Sequence, residues 1–293
     1  MIPKTIHYCW FGGNPLPELA QKCIANWKKY CPDYEIIEWN ESNFDFSGCA
    51  YAKEAYEAKK WAFVSDYARF KILYENGGIY FDTDVEVIKP IDDIIEKGAF
   101  FGCEQDGPVS ATQTEISNVG MNNKSEISRG ILVAPGLGMA VEKGNLFYKK
   151  MLDFYHSIHF IDNEGNLNLE TVVIYTTKAL YDLGLQNIKE QQTIGNITIY
   201  PKEYFCPMDY KTGELMISEE TRTVHHYAAR WFTEEQRSIQ KLRYKYARFL
   251  PEKLAHWFSL IVGFSKYRGV IKMPKAMIEF KINNMKTKRK TNS

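Results

Sequence analysis

Residues 61–87 read WAFVSDYARFKILYENGGIYFDTDVEV. The apolar spacing over 61–75 predicts a helix, Gly77-Gly78 stops it, and 79–81 follows as a short strand. Asp82 and Asp84 then stand one residue apart at the end of that strand. Side chains alternate between the faces of a strand, so this spacing is expected to put both carboxylates on one side. A carboxylate pair is a hard-oxygen site suited to Mn²⁺ or Mg²⁺ carrying a diphosphate. The pattern points to chemistry on a nucleotide-activated substrate.

The helix sharpens that expectation. At about 100° per residue, Phe63, Val64, Tyr67, Ala68, Phe70 and Tyr74 share one broad face, while Asp66 and Arg69 lie on the opposite side. A surface ion pair at this spacing stabilises by only a few tenths of a kcal/mol. Gly77-Gly78, however, returns the chain directly into the strand that carries the aspartates. Asp66, Arg69, Asp82 and Asp84 are therefore expected to border one cleft at the carboxyl end of the sheet, where open α/β folds bind ligands.

Outward from this stretch the elements alternate. Residues 2–9 and 34–39 read as strands with a helix over 17–30 between them, and strand–helix–strand order implies a parallel sheet. A helix is expected around 52–75, further strands at 85–88, 100–103 and 130–134, a helix at 171–183, and extended segments at 196–200 and 222–227. Residues 105–129 are polar and poorly patterned, and read as a long functional loop. In GILVAPGLGMAVEKGN (130–145), Gly136 and Gly138 either allow close backbone approach beside an acceptor or make an ordinary turn.

Composition sets outer limits. A chain of 293 residues with 45% hydrophobic and 25% charged residues can bury one sizeable core with a small appendage. Six cysteines (Cys9, Cys23, Cys31, Cys49, Cys103, Cys206) show no CxxC pair and read as reduced, buried thiols. The N-terminus lacks the long apolar run of a signal peptide, so a cytoplasmic protein is expected. From Arg237 to the end, 15 Lys and Arg face 2 Asp and Glu; the whole-chain totals of 37 and 36 leave 22 basic and 34 acidic residues over 1–236. An acidic body at 1–236 thus carries a basic extension at 237–293, including KTKRK at 286–290. The extension reads either as a solvated helix or as a contact with the anionic inner face of a membrane. No recognition module accompanies it, which argues against nucleic acid.

The segment SDYARFKILYENGGIYFDTDVEV (65–87) resembles the signature of glycosyltransferase family 32, the DxD sugar-binding family that includes capsular-polysaccharide and initiating mannosyltransferases. The opening IPKTIHYCWFGG, EYFCPMDYKTGE (203–214) and HHYAARW (225–231) resemble its flanking blocks, and the likeness spans about residues 1–235. More distantly the chain is similar to the catalytic domains of the clostridial glucosylating toxins.

The resemblance implies a GT-A, Rossmann-like α/β fold, a mixed sheet flanked by helices, with a divalent metal, a nucleotide-sugar donor and retention of configuration. By the same likeness Trp10 stacks on the nucleobase, unless it is simply a core Trp; Asp66 and Arg69 contact donor sugar and phosphate, and Tyr80 lies near the ribose. Asp82 contacts ribose and metal, Asp84 is the principal metal carboxylate, and Trp231 lies near the diphosphate. Adjacent histidines in a strand face opposite ways, so one of His225 and His226 at most reaches the site; the likeness favours His226 as the metal contact. Arg230 departs from the pattern, where relatives carry a small residue. The implied activity is hexosyl transfer, from a UDP-sugar, to a lipid-linked capsular or surface polysaccharide. A toxin-like transferase acting on a protein hydroxyl, or a nucleotide-sugar-binding scaffold without turnover, are the alternatives.

Overall fold

The computed structural model describes residues 1–108, 130–209, 212–228 and 233–269. They form two compact units, one of 1–108, 130–207 and 217–226, the other of 208–209, 212–216, 227–228 and 233–269.

The first unit is built on strands β1 (Thr5–Cys9), β2 (Glu35–Trp39), β3 (Gly78–Tyr80), β5 (Ala99–Gln105), β6 (Leu132–Val133), β7 (Met139–Val141), β8 (Gln192–Ile194) and β9 (Ile197–Tyr200). The order across the sheet is β2-β1-β3-β7-β5-β9-β8, with β6 pairing β5. β1 is parallel to β2 and β3, and β5 is parallel to β9, whereas β7 runs antiparallel between β3 and β5. The sheet is therefore mixed. A second, two-stranded sheet pairs β4 (Val85–Val87) with β10 (Thr223–His225).

Helices α1 (Glu18–Tyr30), α2 (Ala50–Glu57), α3 (Trp61–Asn76), α4 (Asp92–Ile95), α5 (Leu146–Ser157), α6 (Val172–Tyr181) and α7 (Lys202–Phe205) complete this unit. α1 begins after Pro17, in extended backbone that suits a helix start, and buries Ala20, Cys23 and Trp27 at helical spacing. The helix expected over 52–75 is two helices. Lys59, at φ 57°, reverses the chain between α2 and α3. α3 ends at Gly77 (φ 71°), whose amide bonds to the Leu73 carbonyl, and Gly78 (φ 98°) enters β3. A Cβ on Gly78 would lie 2.7 Å from the Thr5 carbonyl oxygen on β1, so glycine is required there.

The core is aromatic. Phe101 of β5 stacks on Tyr148 of α5 at 5.7 Å, Phe70 of α3 meets Tyr148 edge-on, and Tyr51, Tyr155 and Phe160 interlock beneath α2. All six cysteines are buried and none forms a disulfide, and burial pushes the thiols of Cys9, Cys23 and Cys31 up to about 12.

The second unit holds an αα pair, α8 (Glu234–Ala247) and α9 (Glu252–Arg268). α8 starts at a capping box in which the Thr233 hydroxyl accepts from the Gln236 amide and the Gln236 side chain accepts from the Thr233 amide. Arg268 makes two bonds to Glu235, and Gly263 sits against Ile239, closing the two helices on each other. Met208 and Leu215 bridge a turn whose Gly213 packs against Tyr244. The division expected at 236/237 falls inside α8, and of the loop read at 105–129 and the KTKRK cluster, residues 109–129 and 286–290 lie outside the described residues.

Candidate functional site

β1 and β3 are parallel neighbours, so their carboxyl ends lie side by side. Trp10 follows β1, and Asp82 follows β3. Trp10 is half-buried; its indole N–H donates to the Asn14 carbonyl at 2.5 Å and its amide to the Trp39 carbonyl at 2.8 Å. The turn after β1 is thus tied down while part of the ring stays open to solvent.

Behind that edge lies a buried ionic cluster. Arg69 Nη2 stands 3.0 Å from Asp66 Oδ1 and 3.3 Å from Asp82 Oδ1, and Arg69 Nε donates to the Ser65 carbonyl at 3.0 Å. The guanidinium lies 4.9 Å from the centre of the Tyr80 ring. The Tyr80 hydroxyl donates to Asp82 Oδ1 at 3.1 Å. Asp66 and Arg69 are only 7% and 4% exposed, so they are not the surface ion pair that helical spacing alone also allows. α3 packs against α2, α5 and β1, so its polar side turns toward the sheet end and is covered there. Burial pushes the Asp66 carboxyl up to about 6, while Arg69 and the Val172 amide, at the start of α6, pull it down.

Asp82 is more open, with about a third of its side chain exposed. Its amide donates to the Gly136 carbonyl at 2.9 Å, and Oδ2 lies directly over the Gly136 Cα. A side chain at 136 would displace the carboxylate. Gly136 was expected to allow close approach beside an acceptor or to make an ordinary turn; it lies in the 3-10 turn Pro135–Leu137, and the group that closes on it is Asp82.

The aspartates do not continue the strand. β3 ends at Tyr80, and the Val85 amide donates to the Asp82 carbonyl at 3.0 Å, closing a turn over 82–85. Strand alternation therefore does not govern Asp84. The turn is held from the other side by α1, where Trp27 Nε1 donates to the Val85 carbonyl at 2.7 Å and Asn26 to Glu86 at 2.7 Å.

β10 pairs His225 with Val85, and of the two histidines it is His225 that stands beside Asp84. His225 Nε2 stands 3.3 Å from Asp84 Oδ1, whereas His226 Nε2 is 2.8 Å from Glu86 Oε2. His226 lines a groove of 410 Å³ with Leu19, Cys23 and Glu86. Burial works to lower His225, but the charge of Asp84 and a bond to it prevail, with Cys206 adding to them, and hold the imidazole well above its ordinary range. Glu104, at the end of β5, is also close enough for His225 to draw its carboxyl down against the upward push of burial. Neither was foreseen here: Glu104 belongs to no local motif, and Cys206, though within the EYFCPMDYKTGE block, read only as a buried thiol. Trp231 and Arg230 lie outside the described residues.

A family model for the glycosyltransferase sugar-binding region containing the DXD motif matches residues 17–101. Those residues are similar to a glycosyltransferase sugar-binding region. Inositol phosphoceramide mannosyltransferase 1 of Schizosaccharomyces pombe is 28% identical over 110 residues, 34% of this chain and 33% of that protein. Inositol phosphoceramide mannosyltransferase 3 of the same organism is 33% identical over 106 residues, 34% of this chain and 29% of that protein. The matched stretch spans about a third of the length of these curated relatives. Among solved structures, PaToxG glycosyltransferase aligns with a TM-score of 0.42 and 21% identity over 62% of this chain and 69% of that one.

The matched region runs from α1 into β5 and contains Asp66, Arg69, Tyr80, Asp82 and Asp84. Gly136 and His225, which touch its two aspartates, come from outside it. Among the described residues no three His, Cys, Asp or Glu side chains converge on one point. Asp84 and His225 instead make a carboxylate–imidazole pair. Such a partial donor set fits a cation that takes its remaining ligands from substrate phosphates and water.

Proposed function

We propose that the chain is a metal-dependent, retaining glycosyltransferase that moves a hexosyl unit from a UDP-sugar to a lipid-linked surface-polysaccharide intermediate. The observation that carries this reading is the anchoring of Asp82. It is held by Arg69, Tyr80 and Gly136 at the carboxyl end of parallel strands, one turn from the Asp84–His225 pair.

Asp84 and His225 are the residues that would hold Mn²⁺ or Mg²⁺, with Asp82 anchored one turn away, and the cation would neutralise charge on the departing diphosphate. The chain's own part is to prepare those groups. Arg69 is buried and permanently charged, so it fixes the Asp82 carboxylate rather than reaching freely for a ligand. Asp66 in turn keeps Arg69 from standing as an uncompensated buried cation. Trp10 offers a partly open ring beside this edge, suited to stacking on a nucleobase.

In the transfer the acceptor oxygen bonds to the anomeric carbon, and the bond from that carbon to the phosphate oxygen breaks. In front-face attack the departing phosphate takes the acceptor's proton, so no protein base is required. A lipid acceptor is supported by the names of the two yeast relatives, which act on inositol phosphoceramide. The test is a screen of nucleotide sugars for Mn²⁺-dependent release of free nucleotide, with Asp84→Asn alongside. One donor is expected to dominate, and the variant is expected to lose at least about 100-fold. Equal, metal-independent release by both proteins would refute the proposal.

A further inference from the structure

α9 is apolar on two opposite faces. Ala255, Ser259, Leu260, Gly263 and Phe264 are buried, with Gly263 closed against Ile239 of α8. The other face carries Leu254, Trp257, Phe258, Ile261 and Val262, spaced as one helical stripe. Trp257 is 54% exposed and Phe258 43% exposed. A surface helix of a water-facing pair needs one apolar face only, and contiguous exposed apolar surface marks a binding site.

The charges beside the stripe indicate what covers it. Lys253 and Lys266, both exposed, flank it at about 40° beyond its two edges on a helical projection. From Arg237 to Gly269, eight Lys and Arg stand against Glu252 alone. Aromatic rings bordered by lysines, on a helix of 17 residues, suit a helix lying in the plane of a charged interface. No helix of the described residues is long and apolar enough to cross a membrane. We propose that the Leu254–Val262 stripe of α9 docks the second unit onto an anionic lipid surface, with Trp257 and Phe258 buried among the headgroups. This goes beyond the sugar-transfer reading and does not depend on it.

The experiment is sedimentation of the full chain with vesicles of phosphatidylcholine alone or phosphatidylcholine with phosphatidylglycerol, at low and high salt. The wild type is expected to pellet with the anionic vesicles, less so at high salt. Trp257→Glu with Phe258→Glu is expected to weaken binding at least about tenfold, with the thermal midpoint lowered only slightly, because Trp257 is 54% exposed and Phe258 meets Tyr246 of α8 edge-on while staying 43% exposed. Lys253→Glu with Lys266→Glu, which leaves the stripe whole, is expected to abolish the preference for anionic vesicles. Equal pelleting of wild type and the Trp257/Phe258 variant would overturn the proposal. So would absence of pelleting together with a dimer, seen by analytical ultracentrifugation, that the same variant dissolves, since a second copy would then cover the stripe.

Discussion

Tyr80 donates its hydroxyl hydrogen to Asp82 Oδ1 at 3.1 Å, and Arg69 approaches the same oxygen at 3.3 Å. One carboxylate oxygen is thereby held twice. Tyr80→Phe keeps the ring against Arg69 and removes the hydroxyl's bond to Asp82, together with its contact to the Cys9 thiol. The net worth of one such bond, about 1 kcal/mol, corresponds to roughly fivefold in rate. Nucleotide release by the variant is therefore expected to fall about fivefold, with the urea midpoint nearly unchanged.

Gly136 is the second constraint on Asp82. Gly136→Ala would drive a methyl group into Oδ2, and the neighbouring Arg69 Nη1 leaves it little room. A displacement of about 1 Å in a catalytic group costs on the order of 100-fold. The variant is expected to lose about that much turnover while near-ultraviolet circular dichroism stays native. Retention of full activity would show that Asp82 need not be held in place.

The two adjacent histidines have different partners, Asp84 for His225 and Glu86 for His226. His225→Asn removes the partner of Asp84, and the concentration of Mn²⁺ giving half-maximal nucleotide release is expected to rise at least about tenfold, in the range for loss of a metal-site partner. His226→Asn breaks only the contact with Glu86 and is expected to leave that concentration within about twofold. The reverse outcome would place the cation on the other face of β10.

His7 gives the fold a pH dependence. Trp39 Nε1 donates to His7 Nδ1 at 3.0 Å, so Nδ1 is unprotonated and Nε2 donates to the Gly77 carbonyl at 3.1 Å. Burial lowers His7 to about 4, against the upward pull of that carbonyl. The unfolded chain binds a proton near the ordinary pKa of about 6.5 and the folded chain does not. Stability is therefore lost as pH falls from about 6.5 to about 4, by up to about 1.4 kcal/mol per pH unit from this residue. Asp66, raised to about 6, acts with the opposite sign below its folded pKa. The measurement is accordingly the difference in unfolding free energy between wild type and His7→Gln across this range, which is expected to narrow as pH falls.

Much of the architecture was legible because local signals agreed with it. Gly77-Gly78 marked the end of α3, the apolar runs marked β1, β2, β5 and β9, and Pro17 marked the start of α1. The break between α2 and α3 was not legible, since Lys59 carries a positive φ with no glycine or proline to announce it. Nor was β7, three residues inserted antiparallel between β3 and β5. At the site, helical periodicity identified Asp66 and Arg69 as sharing a face but not whether water or protein covers it. The alternation rule failed for Asp82 and Asp84 because it presumes a strand where the chain makes a turn. His225 and Gly136 reach the aspartates through pairings distant in sequence, which local pattern does not encode.

The six buried thiols give the molecule an internal clock. With all six sulfhydryls buried, a reagent such as dithionitrobenzoate is expected to react only with chains that have opened. Colour development over time would then read the opening rate directly, and cysteines spread from Cys9 to Cys206 would report whether different regions open together or in turn.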